Sequence, residues 1–226
     1  MTQTWHALLF AHWRLDPADL RTRVPDAFDL DVFDGTAWIG VVPFYMTNVA
    51  PRLVPSIPGV SAFPELNVRT YVTAGGKPGV YFFSLDAASA LAVRAARTLL
   101  NLPYFDATMT ADVSEDGVRY SSARKPSSGP AARFEGSYRP IDAPAPPTPG
   151  SLEYFLTERY CLYAVDRRAR PYRLQIHHPP WPLQTAHAEI TVNTMVDPLH
   201  LSLPSDAPLL HYSRRQDMVA WMPEGI

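Results

Sequence analysis

Short runs of strand-forming residues recur along almost the whole chain, and this feature most limits what it can fold into. Segments such as FPELNVRTYV, VYFFSL and HAEITVNTMV are rich in β-branched and aromatic residues, and turn residues separate them. About eleven such runs stand against two or three helical segments. This pattern predicts a mainly antiparallel α+β protein, in which a barrel or a strongly curved sheet would leave few exposed strand edges.

Local signals predict the limits of several elements. Asp34-Gly35 suits the tight turn of a β-hairpin, and a proline-rich loop is expected from Ala50 to Ala62. The segment DAASALAVRAARTLLNLP predicts the clearest helix, with Asp86 as its N-cap. The apolar face of this helix would contain Leu91, Ala92, Ala95 and Leu99.

The stretch RPIDAPAPPTPG is the one candidate for a domain boundary. Its prolines between Pro140 and Pro149 predict an extended connection. Neither side of it carries enough regular structure to fold alone, and the chain of 226 residues has no internal repeat. We therefore expect one domain over residues 1–226, with this stretch as a surface crossover, although a boundary here stays open.

Composition and charge argue against several classes of protein. Apolar residues make up 46% of the chain and charged residues 19%, which is typical of a globular protein. A formal charge of −2 gives no basis for binding nucleic acid or an anionic membrane surface. The chain has no long apolar run and no basic start of a signal peptide. We expect a cytoplasmic protein with no nucleic-acid or membrane partner, and a homo-oligomer stays open.

The reactive side chains do not match a common cofactor or metal motif. A single cysteine, Cys161, allows no cysteine-rich metal site, and the spacings of phosphate-binding loops are absent. We therefore expect no metal and no cofactor. His177 and His178 are adjacent, so on a strand they would point to opposite faces. One of them could line a cavity beside Trp181, and which one stays open.

The strand FPELNVRTYV raises the main functional question. Residues two apart share a face of a strand, so Glu65, Asn67 and Arg69 project together with Tyr71. One interpretation is the solvated side of an antiparallel sheet. The other is the polar lining of a cavity, because an acid, an amide, an arginine and a phenol suit specific hydrogen bonding. Arg124 lies on a second polar strand face, in RYSSAR.

Four blocks carry a resemblance to a known family. FPELNVRTYV, GVYFFSLDA, FLTERYCLY and HHPPWPLQ resemble the YqjF-like bacterial proteins, a family with a domain of unknown function. That family is in turn similar to the acetoacetate decarboxylase superfamily, which LRTRVPDAFDLD also resembles. The resemblance implies a cone-like β-barrel around a ligand cavity.

The same resemblance implies which site residues are kept. Glu65 falls where the decarboxylases carry an active-site acid, whereas NLPYF has no lysine at the Schiff-base position and Tyr104 is its nearest polar side chain. The decarboxylase arginine has no counterpart near Trp5 or His6. The two lysines of the chain, Lys77 and Lys125, lie in predicted turns, where their amines would be exposed and protonated.

These observations favour a small-molecule-binding protein with an internal polar cavity. Its ligand would be a small organic acid or carbonyl compound, and any catalysis would be acid–base chemistry without a Schiff-base lysine, with Glu65 as the catalytic residue. The ligand-binding residues would be Asn67, Arg69, Tyr104, Arg124, His177 or His178, and Trp181. The alternative is a non-catalytic binding, regulatory or structural protein on the same scaffold, so the sequence leaves open whether the protein is an enzyme.

Overall fold

One curved sheet of thirteen strands dominates the computed structural model, which describes residues 1–50 and 62–226. The strands are β1 (Thr2–Leu15), β2 (Asp29–Leu30), β3 (Ala37–Ala50), β4 (Phe63–Ala74), β5 (Lys77–Ala87), β6 (Tyr104–Ser114), β7 (Gly117–Arg124), β8 (Arg133–Pro140), β9 (Cys161–Val165), β10 (Pro171–His177), β11 (Gln184–Asn193), β12 (Leu209–Ala220) and β13 (Glu224–Gly225). The helices are α1 (Pro17–Arg21), α2 (Ala90–Leu100) and α3 (Leu152–Thr157). The expected proline-rich loop lies almost wholly outside the described residues. The prediction of a mainly antiparallel α+β protein is confirmed.

The strand pairings close on themselves twice. One ring follows β5, β6, β7, β8, β11, β12, β1, β3 and β4 back to β5, and the other follows β5, β9, β10, β12, β1, β3 and β4. The strands β12, β1, β3, β4 and β5 belong to both rings, and we call them the shared sheet. Only the pairings of β5 with β6 and with β9 are parallel among those described.

The shared sheet is buried on both faces. On one, the Leu66 face, Leu66 and Val68 pack with Val118 and Phe134 of β7 and β8. The other, the Glu65 face, carries Phe10, Val42 and Phe44, which pack with Trp181 from the segment between β10 and β11. Because successive side chains of a strand point to opposite faces, β4 divides its residues between these two interiors.

Two local predictions were wrong. Asp86 does not cap a helix: it lies inside β5, fully buried, and α2 begins only at Ala90. Leu91, which was predicted on the apolar face of α2, is 63% exposed, whereas Val93 is buried. The side chains of Ala92, Ala95 and Leu99 lie outside the described part of the chain.

The Asp34-Gly35 turn forms, but the hairpin around it is short. Both residues have positive φ angles, 48° and 74°, as a tight hairpin turn requires. The turn closes a single bridge between Phe33 and Thr36. The preceding strand β2 then pairs with β4 rather than with β3, because the apolar residues of β3 are taken up between β1 and β4.

Candidate active site

Glu65 lies in the middle of the Glu65 face. Its register partners are Phe44 on β3 and Ala87 on β5, both members of the apolar cluster around Trp181. Glu65 is 3% exposed and Asn67 is 5% exposed. The polar residues of FPELNVRTYV are therefore not the solvated side of a sheet, which was one of the two interpretations of the sequence.

Burial changes the protonation of Glu65. Loss of solvent raises the pKa of its carboxyl group to about 8, against a smaller lowering effect of a hydrogen bond with Tyr104. The negative charge of Asp86 adds to the increase. The carboxyl oxygen Oε2 has no hydrogen-bond partner among the described residues. Glu65 is thus mostly a neutral acid at pH 7, and one of its oxygens has no partner in the described part of the chain.

Tyr104 forms a hydrogen bond with this carboxyl group. It is the first residue of β6, pairs in parallel with Leu85 of β5, and packs against the Trp181 cluster. Burial and the neighbouring Glu65 raise the pKa of the Tyr104 hydroxyl well above its usual range. Tyr104 is therefore a neutral hydrogen-bond donor at the position where the decarboxylase resemblance expects a lysine.

Unpartnered polar atoms are concentrated on the Glu65 face. Buried polar atoms normally have a hydrogen-bond partner, so each exception needs an explanation. Within the described part of the chain, twelve buried side-chain atoms lack a partner, and eight of them belong to residues on this face or to Trp181 against it. They are His12 Nδ1, Trp38 Nε1, Glu65 Oε2, Asn67 Oδ1, Arg69 Nε, Trp181 Nε1, His211 Nδ1 and Ser213 Oγ.

Arg69 lies further along the same face, at the level of a β-bulge in the neighbouring strand β5. The bulge falls between Val68 and Arg69 in the pairing with β5. The Arg69 guanidinium lies 5.3 Å from the ring centre of Phe10 and 5.6 Å from that of Tyr71, and it donates a hydrogen bond to the Leu156 carbonyl at 3.1 Å. None of the described acidic side chains forms a salt bridge with it.

His12 was not identified from the sequence, yet it is fully buried beside Arg69. Its Nε2 atom lies 2.6 Å from the Tyr71 hydroxyl. Burial, with a further effect of the Arg69 charge, holds the pKa of His12 well below its usual value. The sequence did contain a signal, because His12 shares alternate positions with Leu8 and Phe10 in an otherwise apolar strand.

The segment that follows β10 supplies Trp181. Its indole stacks on Trp5 at 5.8 Å and meets Phe10 edge-on at 4.9 Å. Its backbone N–H donates to Glu158 Oε1 at 2.8 Å, and the Tyr160 hydroxyl donates to the other oxygen of Glu158. Glu158 therefore positions Trp181 and does not pair with the next residue, Arg159, which binds Asp31 instead.

The two adjacent histidines separate, as strand geometry predicted. His177 is exposed at the end of β10, so it does not belong to the site. His178 is buried, with its ring 4.6 Å from Tyr160 and 5.1 Å from Trp181. Its Nδ1 atom is 2.8 Å from the Pro179 carbonyl. His178 thus packs against the Trp181 ring and helps to hold it in place.

Arg124 lies on the other side of the shared sheet. It forms a two-point ion pair with Asp86, at 2.6 Å and 3.0 Å. The register partner of Asp86 on β4 is Leu66, so this pair belongs to the Leu66 face. Arg124 therefore does not lie opposite Glu65, as the sequence analysis expected, and its charge is already neutralised.

Neither lysine of the chain is in the buried environment that a Schiff-base mechanism requires. Lys77 and Lys125 are both exposed, as predicted. An exposed amine is mostly protonated at neutral pH and is a poor nucleophile. Within residues 1–50 and 62–226, no three His, Cys, Asp or Glu side chains are grouped as a metal site requires, and no helix is both long and apolar enough to cross a membrane.

Comparison with known proteins gives the family. Residues 2–217 match the model of DUF2071, which is described as an uncharacterized conserved protein. The chain belongs to this family. YqjF from Bacillus subtilis is 51% identical over 221 residues, which cover 98% of this chain and 90% of YqjF. The resemblance to YqjF-like proteins is therefore confirmed.

Solved structures show the fold. The enduracididine biosynthesis enzyme MppR, complexed with pyruvate, has a TM-score of 0.65 at 12% identity, covering 99% of this chain and 89% of MppR. Acetoacetate decarboxylase from Legionella pneumophila has a TM-score of 0.63 at 14% identity, covering 100% of this chain and 86% of the enzyme. This member of the DUF2071 family thus has an acetoacetate decarboxylase-like fold. At these identities the similarity extends no further than the fold.

Proposed function

We propose that the Glu65 face of this protein binds a small oxo acid and that Glu65 exchanges protons at the carbon next to the ligand's carbonyl group. The observation that carries the proposal is the buried Glu65 carboxyl, with a pKa of about 8 and a free Oε2 atom among other unpartnered polar atoms. Perturbed acids in such surroundings are typical of catalytic sites. The fold shared with MppR, which is complexed with pyruvate, agrees with a small oxo acid as ligand.

In the proposed reaction the ionised form of Glu65 acts as the base. It removes a proton from the carbon beside the carbonyl, and the electron pair of the C–H bond moves to the carbonyl oxygen to form an enolate. The Trp181 Nε1–H group, which has no partner among the described residues, is the donor we assign to that oxygen. Glu65 then returns the proton to carbon, so no covalent intermediate and no lysine are needed.

The position of its pKa makes Glu65 a stronger base than an ordinary carboxylate. A general base works best when its pKa lies near the working pH. Because only the ionised form accepts a proton, the exchange rate is expected to rise with pH and to level off above about 8. Burial of Glu65 places this rise near pH 8, and the hydrogen bond with Tyr104 moves it to lower pH than burial alone would.

Deuterium exchange tests the proposal. The loss of C–H signal from pyruvate and from 4-oxopentanoate would be followed by NMR in D₂O, with wild-type protein and with Glu65→Gln. We expect exchange above the buffer rate for the wild type and a loss of about 100-fold or more in the variant, because general-base catalysis contributes on that scale. The matched control is Glu115→Gln, which changes an exposed acid in a turn.

Three results would count against the proposal. Exchange that survives Glu65→Gln would remove the assigned base, and exchange lost in Glu115→Gln as well would point to a general effect on the protein. Saturable binding of either compound in calorimetry, without exchange above the buffer rate, would replace the enzyme with a non-catalytic binding protein on the same scaffold.

A further inference from the structure

Asn67 is the next residue after Glu65 on the Glu65 face of β4, and the oxygen of its amide is buried without a partner. The two residues are two positions apart on the strand, so both side chains point into the same interior. Asn67 is 5% exposed, and its Oδ1 atom accepts no hydrogen bond from the described part of the chain. Burying an amide oxygen in this state is costly, which favours a ligand that brings a hydrogen-bond donor.

The side chains beside Asn67 offer no donor to this oxygen. Its register partners are Val42 on β3 and Leu85 on β5, and both are apolar. Leu85 pairs in turn with Tyr104 of β6, whose hydroxyl forms its hydrogen bond with Glu65. The row of residues that crosses the sheet at Asn67 therefore ends at the partner of Glu65, and the unpartnered oxygens of Asn67 and Glu65 belong to one part of the interior.

The spacing of the two residues limits where the donor can be on the ligand. Residues two apart on a strand are separated by about 6.6 Å. The contact between Glu65 and the carbon that loses its proton takes about 3 Å, and a hydrogen bond to Asn67 takes about 3 Å more. A hydroxyl group bonded directly to that carbon fits this spacing, whereas a donor several carbons away would extend past Asn67.

We propose that Asn67 selects ligands with a hydroxyl group on the carbon that Glu65 deprotonates, and that this hydroxyl donates to Asn67 Oδ1. The assignment rests on the proposed function. The simplest small oxo acid of this class is a 2-oxo acid with a hydroxyl group on C3. Glu65 removes a C3 proton, the electron pair of that C–H bond moves to the carbonyl oxygen, and the resulting enediolate takes the proton back from Glu65. The hydroxyl keeps its own proton throughout.

Deuterium exchange with two matched probes tests the assignment. 3-Hydroxypyruvate and 2-oxobutanoate have the same number of heavy atoms and differ in whether C3 carries a hydroxyl or a methyl group. Loss of the C3–H signal would be followed by NMR in D₂O, and each rate would be divided by the rate in buffer to remove the difference in intrinsic acidity. We expect the wild type to prefer 3-hydroxypyruvate by about 10-fold, because the methyl group leaves the buried oxygen of Asn67 unpaired.

Asn67→Leu is the matching variant, because leucine has a similar size and cannot accept a hydrogen bond. It should remove the preference and leave the exchange of 2-oxobutanoate unchanged. Since it replaces an unpaired amide among apolar neighbours, it should not lower the melting temperature of the unliganded protein. A structural role of Asn67 would instead lower the melting temperature and slow the exchange of both probes equally. The control is Glu65→Gln, which should slow both probes without changing the stability in this direction of Asn67.

The outcomes separate this assignment from the proposed function. Equal normalised exchange of both probes by the wild type would overturn the assignment alone, because the base would still be active and a bound water would be the partner of Asn67. A preference for 3-hydroxypyruvate that persists in Asn67→Leu would also overturn it. Exchange of neither probe above the buffer rate would count against the proposed function itself.

Discussion

The two buried acids of the shared sheet, Asp86 and Glu65, lie on neighbouring strands but face opposite interiors. Asp86 is fully buried on the Leu66 face, where Arg124 donates two hydrogen bonds to its carboxylate. Glu65 is equally enclosed on the Glu65 face, but among the described residues its carboxyl bonds with the neutral hydroxyl of Tyr104 and its Oε2 atom has no partner.

The difference lies in the partners of the two acids, and the proposed role of Glu65 rests on it. A carboxylate with a two-point guanidinium partner has its charge and its hydrogen bonds satisfied, so it has nothing left to offer a ligand. A carboxyl without a cation stays neutral, and the same burial that destabilises its charge makes it a strong base once ionised. The two faces of one strand pair therefore place their buried acids in opposite electrostatic surroundings.

Breaking the Asp86 pair should have the largest effect. Arg124→Met leaves a fully buried carboxylate unpaired, so we expect the free energy of unfolding in urea at pH 7 to fall by about 3–5 kcal/mol. The loss should shrink as the pH is lowered, because burial already raises the pKa of Asp86 and protonation removes the unpaired charge. The control is Arg119→Met on the same strand, with a change below about 0.5 kcal/mol.

A double variant sharpens this expectation. Replacing both members, Asp86→Leu with Arg124→Met, removes the charge along with its partner, so it should cost much less than Arg124→Met alone. If the double variant were as unstable as the single one, the loss would come from packing around Phe105, over which the Arg124 guanidinium lies at 3.8 Å, rather than from an unpaired acid.

Glu65→Gln is expected to raise the free energy of unfolding, whereas Arg124→Met lowers it. In the unfolded chain the Glu65 carboxyl ionises near its ordinary pKa of 4.5, whereas in the folded protein it keeps its proton up to about pH 8. Between these values the folded state loses stability as the pH rises, and above 8 the loss is complete. Glutamine cannot ionise, so the variant should match the wild type near pH 4 and be more stable by about 5 kcal/mol at pH 9.

Urea titrations of both proteins across pH 4–9 measure this difference. Glu115→Gln, which changes an exposed acid in a turn, should follow the wild type at every pH. A constant difference between Glu65→Gln and the wild type would contradict the raised pKa of Glu65, because a pH-independent effect can only come from packing or hydrogen bonding.

Replacing the two lysines should have the smallest effect on stability and on proton exchange. Lys77→Ala combined with Lys125→Ala changes two exposed side chains, so we expect a change in unfolding free energy below about 0.5 kcal/mol and unchanged proton exchange. Treatment of the wild type with pyruvate and borohydride should give no adduct on either lysine by peptide mapping. An adduct at Lys77 or Lys125 that disappears in the double variant would restore Schiff-base chemistry to this protein.

Some of the candidate site could be predicted from β4 alone. The alternation of FPELNVRTYV placed Glu65 and Asn67 on one face, and the structure places both there. Arg69 is on that face as well, because the bulge at this level is in β5 and leaves the alternation of β4 unchanged. The pattern could not show whether the face was wet or enclosed, since alternation looks the same in both cases. The burial of Glu65 depends on Trp181 and Tyr104, which arrive from distant parts of the chain.

Other residues of the site could not be found in this way. Asp86 looked like a helix cap because it precedes a helical pattern, but its partner Arg124 is 38 residues away and holds it in β5. His12 looked like part of an apolar strand, and its contacts with Tyr71 and Arg69 exist only because β1, β3 and β4 are neighbours. In each case the role of the residue depends on partners whose position in space cannot be read from the sequence.

The sequence by itself determined the class of the fold, most of its strands and turns, and the absence of a buried lysine, because these depend on local periodicity and on residue identity. Only the tertiary structure decided which interior each polar side chain enters and what it meets there. The reason is physical: a strand presents two faces, and the pKa of Glu65 and the pairing of Asp86 are properties of the groups packed against those faces.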